Sequence, residues 1–227
     1  MYNIGIIGAG KVGVSLGRYL LGLDYTNLVG YYSRSLYSSA YAAKVTNSGK
    51  FTSIEKLVEK SNVILITTPD DQISEIWSTI SKFSIQNKIV CHCSGSLSSE
   101  IFFDISSKGA SGCSMHPILA ISSKENSYKD LSSAFFTLEG QDKAIEFFSR
   151  VLDSKRNKYK VLSKTEKTKY HISSVFISNL IIAMGNISIK LLGDYDFSQE
   201  EALDALKSLA VGNMDKFFAR GPQDALT

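Results

Sequence analysis

Short apolar runs alternate with amphipathic segments along the first two-thirds of the chain. The runs Tyr2–Ile7, Leu28–Tyr32 and Asn62–Thr67 are too short for helices, and the last is rich in β-branched residues. Between the first two runs, apolar residues recur at helical spacing from Val12 to Leu23. The pattern therefore predicts buried strands joined by helices that pack on a sheet.

The same alternation continues to residue 162. It predicts further strands at Ile89–Cys93, Gly112–His116, Phe135–Glu139 and Tyr159–Leu162, and helices at Tyr37–Lys44, Ile54–Lys60, Ile73–Phe83 and Asp142–Leu152. Strands that alternate with helices form right-handed βαβ units. The sequence thus predicts an α/β fold with a doubly wound parallel sheet.

The pattern changes after residue 153. Two long helical segments are predicted, Lys164–Leu192 and Ser198–Arg220, and the second begins with a capping box formed by Ser198 and Glu201. We therefore expect two domains, an α/β domain over 1–153 and a helical C-terminal domain over 154–227. The chain stops at Thr227 without a glycine-rich or lysine-rich terminal segment, and we expect it to be a fragment of a longer protein.

An uncharged run from Ile172 to Ile189 is long enough to cross a bilayer. It contains six polar residues, which are too many for a helix surrounded by lipid: Ser173, Ser174, Ser178, Asn179, Asn186 and Ser188. We therefore expect a helix buried between layers of protein, and no membrane partner.

Composition narrows the function without naming it. The chain has 25 basic and 22 acidic residues, and its net charge of +3 is a poor basis for binding nucleic acid or membranes. Three cysteines in 227 residues argue against a disulfide framework and favour a reducing compartment. We expect a cytoplasmic protein with a small-molecule substrate.

A Gly-x-Gly-x-x-Gly motif directly follows the first strand and opens the first helix, the context that dinucleotide binding requires. Gly8 permits the tight turn, Gly10 lets a pyrophosphate approach the backbone, and Gly13 lets the helix pack close to the strand. Lys11 and Val12 lie at the helix N-terminus, whose free N–H groups favour phosphate. The alternative is a glycine-rich turn without a ligand.

The end of the second strand indicates which dinucleotide binds. NAD-binding chains usually carry an acid here, whereas this chain has Ser33, Arg34 and Ser35. Arg34 can pair with a phosphate and the serines can hydrogen-bond to it, which favours NADP. Thr68 and Pro69 follow the next strand, where their backbone would reach the nicotinamide ribose. The alternatives are a solvated arginine and an ordinary strand-to-helix turn.

Cysteines and histidines cluster after two strands but lack metal-site spacing. Cys91 and Cys93 share one face of a strand while His92 points to the other, unlike the turns that hold zinc. We predict no metal site, although Cys113 and His116 lie on the next strand.

The loops that follow these two strands are candidates for the reacting end of the site. Ser94 and His116 should emerge at the same sheet edge as the glycine turn, beside the nicotinamide. We predict that Ser94 contacts cofactor and substrate and that His116 acts as an acid or a substrate anchor. A structural, hydrogen-bonded histidine is the alternative.

The uncharged helix carries a polar stripe of its own. At 100° per residue, His171, Ser174 and Ser178 share one stripe, with Val175 and Asn179 beside it. We predict that His171 donates a proton to a carbonyl or imine and that Ser174 and Asn179 orient it. Polar contacts between helices, for example in a dimer interface, are the alternative.

In their order along the chain, the motifs resemble a bacterial two-domain family that joins a Rossmann-like NADP-binding domain to a helical domain of unknown function (2520 type). They are the glycine motif, Ser33-Arg34-Ser35, Ser94-Gly95, His116-Pro117, Tyr170-His171 with Ser178-Asn179, and Gly221-Pro222-x-x-Ala225-Leu226-Thr227. The family is similar to pyrroline-5-carboxylate reductases and to β-hydroxyacid and prephenate dehydrogenases. The Lys-x-x-x-Asn pair of β-hydroxyacid dehydrogenases is absent where expected, since His171 and Val175 stand there.

The resemblance implies an NADP-dependent oxidoreductase with a Rossmann sheet, dimeric through its C-terminal helices. Three functions remain open: a reductase that transfers hydride from NADPH to a small carbonyl or imine, an NADP-binding sensor without turnover, and an interaction module with a vestigial Rossmann domain.

Overall fold

The computed structural model describes residues 1–225, which form an eight-stranded sheet with helices. The strands are β1 (Tyr2–Ile7), β2 (Thr26–Tyr32), β3 (Gly49–Phe51), β4 (Val63–Ile66), β5 (Ile89–His92), β6 (Ser111–Ile118), β7 (Phe135–Gly140) and β8 (Tyr159–Val161). The helices are α1 (Lys11–Leu20), α2 (Leu36–Thr46), α3 (Ile54–Lys60), α4 (Asp70–Ile80), α5 (Ser127–Asp130), α6 (Asp142–Ser154), α7 (Lys167–Val175), α8 (Ile181–Gly193), α9 (Gln199–Arg220) and α10 (Pro222–Ala225). Residues Leu226 and Thr227 of the predicted Gly-Pro signature lie outside the described residues.

The predicted doubly wound α/β fold is confirmed. The strand order is β3-β2-β1-β4-β5-β6-β7-β8, and both faces of the sheet are covered. One face packs on α1, α2 and α6 through buried Leu16, Ala42 and Phe148, and the other packs on α3 and α4 through buried Leu57 and Trp77. Strands buried on both faces explain the continuous apolar runs in the sequence.

The prediction of a wholly parallel sheet is wrong at one position, because β6 and β7 pair antiparallel. A parallel pairing would need a crossover that returns the chain to the opposite edge of the sheet. The connection between β6 and β7 contains only the four-residue helix α5, so β7 begins at the edge where β6 ends. The sheet is therefore mostly parallel.

The chain divides into two compact units, Met1–His171 and Ile172–Thr227. The first unit contains the whole sheet and the beginning of α7. The last strand of that sheet, β8, lies beyond the predicted boundary at residue 153. The predicted division into domains over 1–153 and 154–227 stays a prediction.

The second unit is helical, and its apolar side chains are exposed. Within residues 172–225, Ala202 is the one buried side chain, whereas Ile182 is 74% exposed and Phe218 is 71% exposed. The expectation of a buried uncharged helix is therefore wrong for the single chain, which supplies no layer over it. The stretch Lys164–Gly193 is long and apolar enough to cross a membrane by length and composition alone, which is weak evidence for a membrane span.

Candidate functional site

The glycine-rich turn is held to the neighbouring strand by Thr67. The Thr67 hydroxyl is 2.9 Å from the Gly8 carbonyl oxygen, to which it donates, and Gly8 has φ +109°, a conformation that favours glycine. A Cβ on Gly13 would collide with the Gly8 carbonyl oxygen. A Cβ on Gly10, in contrast, would find no protein atom within 4 Å. The turn therefore needs Gly8 and Gly13 for its own packing, but Gly10 only if a ligand lies against it.

The N-terminus of α1 has free N–H groups that can bind an anion. No side chain caps it and no acidic residue lies in its first turn. By comparison, Ser35 caps α2 by accepting a hydrogen bond from the Ser38 N–H, and Ser53 caps α3 in the same way. The uncapped N–H groups of α1 are thus available to phosphate oxygens.

Two clefts meet at this turn. The first, of 160 Å³, extends along the end of β2, and the second, of 410 Å³, extends toward β5. Predicted cofactor-binding residues that line one or both clefts are Gly8, Gly10, Lys11, Val12, Ser33, Arg34, Thr68 and Pro69. Gly13, Ser35 and Ser94 do not line them. The second cleft also includes Asp70, Cys93 and Ile121, which the sequence did not suggest.

Every polar atom of Ser94 forms a hydrogen bond. Its N–H donates to His92 Nδ1 at 3.2 Å, and its hydroxyl donates to the Asp70 carboxylate at 2.6 Å. The same hydroxyl oxygen accepts hydrogen bonds from the N–H groups of Ser96 and Leu97. Its donor and both lone pairs are therefore occupied. This geometry favours a role in holding the loop over the predicted role of orienting a substrate.

His92 is the buried support of that loop. Nδ1 accepts from the Ser94 N–H, so Nε2 carries the ring proton, and it lies 3.2 Å from the Ser98 carbonyl oxygen. Burial, together with the charge of Lys167, lowers the pKa of His92 to about 4. The imidazole is therefore neutral at physiological pH.

His116, Tyr170 and His171 converge above Gly95. His116 Nδ1 and the Tyr170 hydroxyl are 2.6 Å apart, and the centroids of the two imidazole rings are 6.5 Å apart. A Cβ on Gly95 would lie 2.8 Å from His171 Nδ1 and 2.9 Å from His116 Nε2. Gly95 is therefore needed where the two rings close over the loop. The structure thus brings the two predicted histidines together.

The two rings differ in what surrounds them. Burial and the charge of Lys167 lower the pKa of His116 to about 4, and the neighbouring His171 acts in the same direction. A ring with so low a pKa is unprotonated at neutral pH, which favours the predicted role of substrate anchor over that of acid for His116. His171 Nδ1 is buried and has no hydrogen-bond partner within residues 1–225. Such an atom is costly unless a ligand satisfies it.

Lys167 is the residue that the sequence interpretation missed. Its side chain is 1% exposed, and its ammonium group donates to the Ser94 carbonyl oxygen at 2.9 Å and to the Ser114 hydroxyl at 2.6 Å. In the sequence it resembles the solvated lysines beside it. One signal could have found it, because it precedes His171 by four residues and so shares a helix face with that ring.

Ser174 and Asn179 belong to the second unit. The backbone changes to a π turn over Phe176–Leu180, which rotates later residues by about 100° relative to an ideal helix. The predicted stripe assumed an ideal helix, and beyond Val175 it stays a prediction. Ser178 instead donates to the Ser174 carbonyl oxygen at 2.6 Å. The roles predicted for Ser174 and Asn179 stay predictions.

Among residues 1–225, no group of three or more histidine, cysteine or acidic side chains is arranged to hold a metal ion. Cys91, Cys93 and Cys113 are all free thiols. The polar side chains at and around the two clefts carry imidazole, hydroxyl, ammonium and carboxylate groups.

Solved structures share this fold. A Thermotoga maritima protein, TM1727, is 24% identical with a TM-score of 0.73, and the match covers 99% of this chain and 82% of that one. A candidate NADP oxidoreductase from Bacteroides fragilis is 19% identical with a TM-score of 0.80, covering 100% and 84%. The pyrroline carboxylate reductase of Plasmodium falciparum, solved with NADP bound, is 12% identical with a TM-score of 0.63, covering 95% and 78%. At these identities the likeness shows the fold alone.

Family models match two parts of the chain. A Rossmann-like domain matches residues 1–117, and the domain of unknown function DUF2520 matches residues 134–227. A comparison with curated proteins found no match. Because the matches follow one another along the chain and agree with the observed sheet and helices, the chain belongs to the family that joins a Rossmann-like domain to a DUF2520 domain.

Proposed function

We propose that the protein is an NADP-dependent oxidoreductase that transfers hydride between NADPH and a small carbonyl or imine compound. The observation that carries this proposal is the open space at Gly10, next to the uncapped N-terminus of α1 and between the two clefts. A dinucleotide needs a pyrophosphate site of this kind midway along its length. Two fold relatives support the same chemistry: the pyrroline carboxylate reductase of Plasmodium falciparum, solved with NADP bound, and an imine reductase from Pseudomonas.

The residues present fit NADP along the whole motif. Gly10 and the N–H groups of α1 would hold the pyrophosphate, and exposed Arg34 would pair with the 2′-phosphate at the end of the first cleft. Thr68 and Pro69, which line both clefts, would lie along the nicotinamide ribose. When bound, the nicotinamide supplies or accepts the hydride, and the protein supplies position and a proton.

The two histidines would then bind the substrate and donate the proton. His116 is neutral, and a Tyr170 hydroxyl that donates to Nδ1 leaves the ring proton on Nε2, which can hydrogen-bond to the substrate. His171 has the buried, unpartnered nitrogen and would deliver the proton to the oxygen or nitrogen that gains charge as hydride arrives. Histidine 116 thus anchors the substrate, and histidine 171 donates to it.

NADPH oxidation by the purified protein, measured against keto acids and cyclic imines, tests this function. We expect turnover with NADPH in preference to NADH, because Arg34 and the two serines replace the usual acid. Arg34→Ala should reduce that preference at least about tenfold, by loss of a charge-assisted contact worth about 1.5 kcal/mol or more. Tight NADPH binding without turnover on any compound would favour the sensor function instead. No binding of either cofactor would contradict the proposal.

A second copy of the chain is the partner that we propose for the helical unit. Its exposed apolar side chains include Ile182, Met184, Ile187 and Leu191 on α8, and each is more than half exposed. An apolar surface of this extent on a protein that stays in solution usually marks an interface. We propose a cytoplasmic homodimer. Light scattering at micromolar concentration should give twice the chain mass of 24.9 kDa, and a monomer would contradict this.

A further inference from the structure

We propose that Lys167 is a positioning residue of this site, whose buried ammonium group holds the Ser94–Gly95 turn beneath the two imidazoles and keeps a positive charge beside His116. The kinetic consequence of this proposal rests on the proposed reductase function. Its spectroscopic consequence does not, because it concerns the protein without substrate.

The contacts of Lys167 explain why an ammonium group is buried here. It donates to the Ser94 carbonyl oxygen, and Ser94 is in turn fixed by His92 and Asp70. Three ionisable side chains from three different elements therefore fix one residue. The next residue, Gly95, is the one over which the two rings close. Lys167 thus acts on the site through the loop and touches no substrate.

A buried carboxylate balances the charge. The Ser114 hydroxyl accepts from Lys167 and lies 3.4 Å from Glu139 Oε2, to which it donates. Glu139 is 4% exposed and also accepts from the N–H and the hydroxyl of Ser99, each at 2.7 Å. One hydroxyl therefore connects a buried ammonium to a buried carboxylate. Burial lowers the pKa of Lys167, and the Glu139 charge opposes that shift.

The charge of Lys167 also acts on His116. Burial is the largest cause of the lowered His116 pKa, Lys167 and then His171 on α7 add to it, and Asp70 on α4 opposes them. The other groups nearby are the Tyr170 hydroxyl on Nδ1 and the neutral ring of His92 on β5. Glu139 on β7 faces Lys167 and Ser99 instead. Burial and the charge of Lys167 thus act together to keep His116 neutral, as its anchoring role requires.

Proton NMR titration of the substrate-free protein tests the inference. The chain has three histidines, so three ring Cε1–H signals are expected, and the signal that is lost in His116→Gln is that of His116. Lys167→Met should raise the pKa of His116 by about one unit or more toward 6.5, because a nearby positive charge is removed. Lys167→Arg keeps the charge and should keep the pKa low. An unchanged His116 pKa in Lys167→Met would overturn the proposal.

Glu139→Gln is the matched control, since it removes the other buried charge and leaves Lys167 in place. It should not raise the pKa of His116, and an increase equal to that of Lys167→Met would count against the proposal. If Lys167→Met fails to fold with Glu139 uncompensated, Lys167→Met/Glu139→Gln removes both charges and should show the same increase. In an active enzyme the acid limb of kcat/KM should move to higher pH by the same amount. A moved pKa without turnover would contradict only the reductase function.

Discussion

Gly10→Ala is expected to weaken NADPH binding at least about a hundredfold while the protein keeps its stability. The new methyl group meets no protein atom within 4 Å, and the backbone of Gly10, with φ −78° and ψ −168°, is one that alanine adopts freely. The same methyl group would occupy the space through which a pyrophosphate approaches the turn. A hundredfold loss corresponds to about 2.7 kcal/mol of binding free energy. Fluorescence titration with NADPH and thermal unfolding of the free protein measure the two quantities.

Two other glycines make the comparison specific. Gly193→Ala also adds a methyl group in open space, but at the end of α8 and not among the residues that line either cleft, so NADPH affinity should not change. Gly13→Ala places its methyl group against the Gly8 carbonyl oxygen and should destabilise the fold itself. A Gly10→Ala protein that binds NADPH like the unmodified protein would show that no pyrophosphate lies on this turn.

The sequence was sufficient for the parts of the fold that depend on local pattern. Strands such as β4 are continuous apolar runs, and the glycine turn has a fixed spacing, so both could be predicted. The antiparallel pairing of β6 with β7 could not be predicted, because no pattern in residues 119–134 indicates the edge of the sheet at which β7 begins. That choice depends on how the connection packs against α1, where Arg18 donates to the Glu125 carbonyl oxygen at 2.8 Å.

The site was predictable where a residue type implies its chemistry and not where burial changes it. His116 and His171 attracted attention as imidazoles, and the structure places both rings over Gly95. The environment of His116 lowers its pKa through burial and through Lys167, and only the four-residue spacing of Lys167 from His171 distinguishes it in the sequence from the exposed Lys169. Ser94 shows the opposite effect, since a serine beside a strand end suggests a free hydroxyl and this one is fully hydrogen-bonded.

His171→Ala is expected to lower kcat on the identified substrate by on the order of a hundredfold or more, the usual size of a general acid's contribution. The unpartnered Nδ1 of His171 is the nitrogen that a substrate oxygen or nitrogen would satisfy, and removing it takes away stabilisation that develops as hydride moves. NADPH affinity should stay within about twofold, because the ring lies outside the two cofactor clefts. Steady-state kinetics together with NADPH titration separate these effects.

Lys169→Ala is the control for this variant, since Lys169 lies two residues earlier on α7 and is exposed. It should turn over like the unmodified protein. The effect of His171→Ala should also differ from that of Gly10→Ala, which acts through cofactor affinity and should be offset in part by raising the NADPH concentration. A loss of kcat that persists at saturating NADPH is what a proton donor requires. Normal turnover by His171→Ala would assign the proton to another group, and the Tyr170 hydroxyl beside His116 would then be the next candidate.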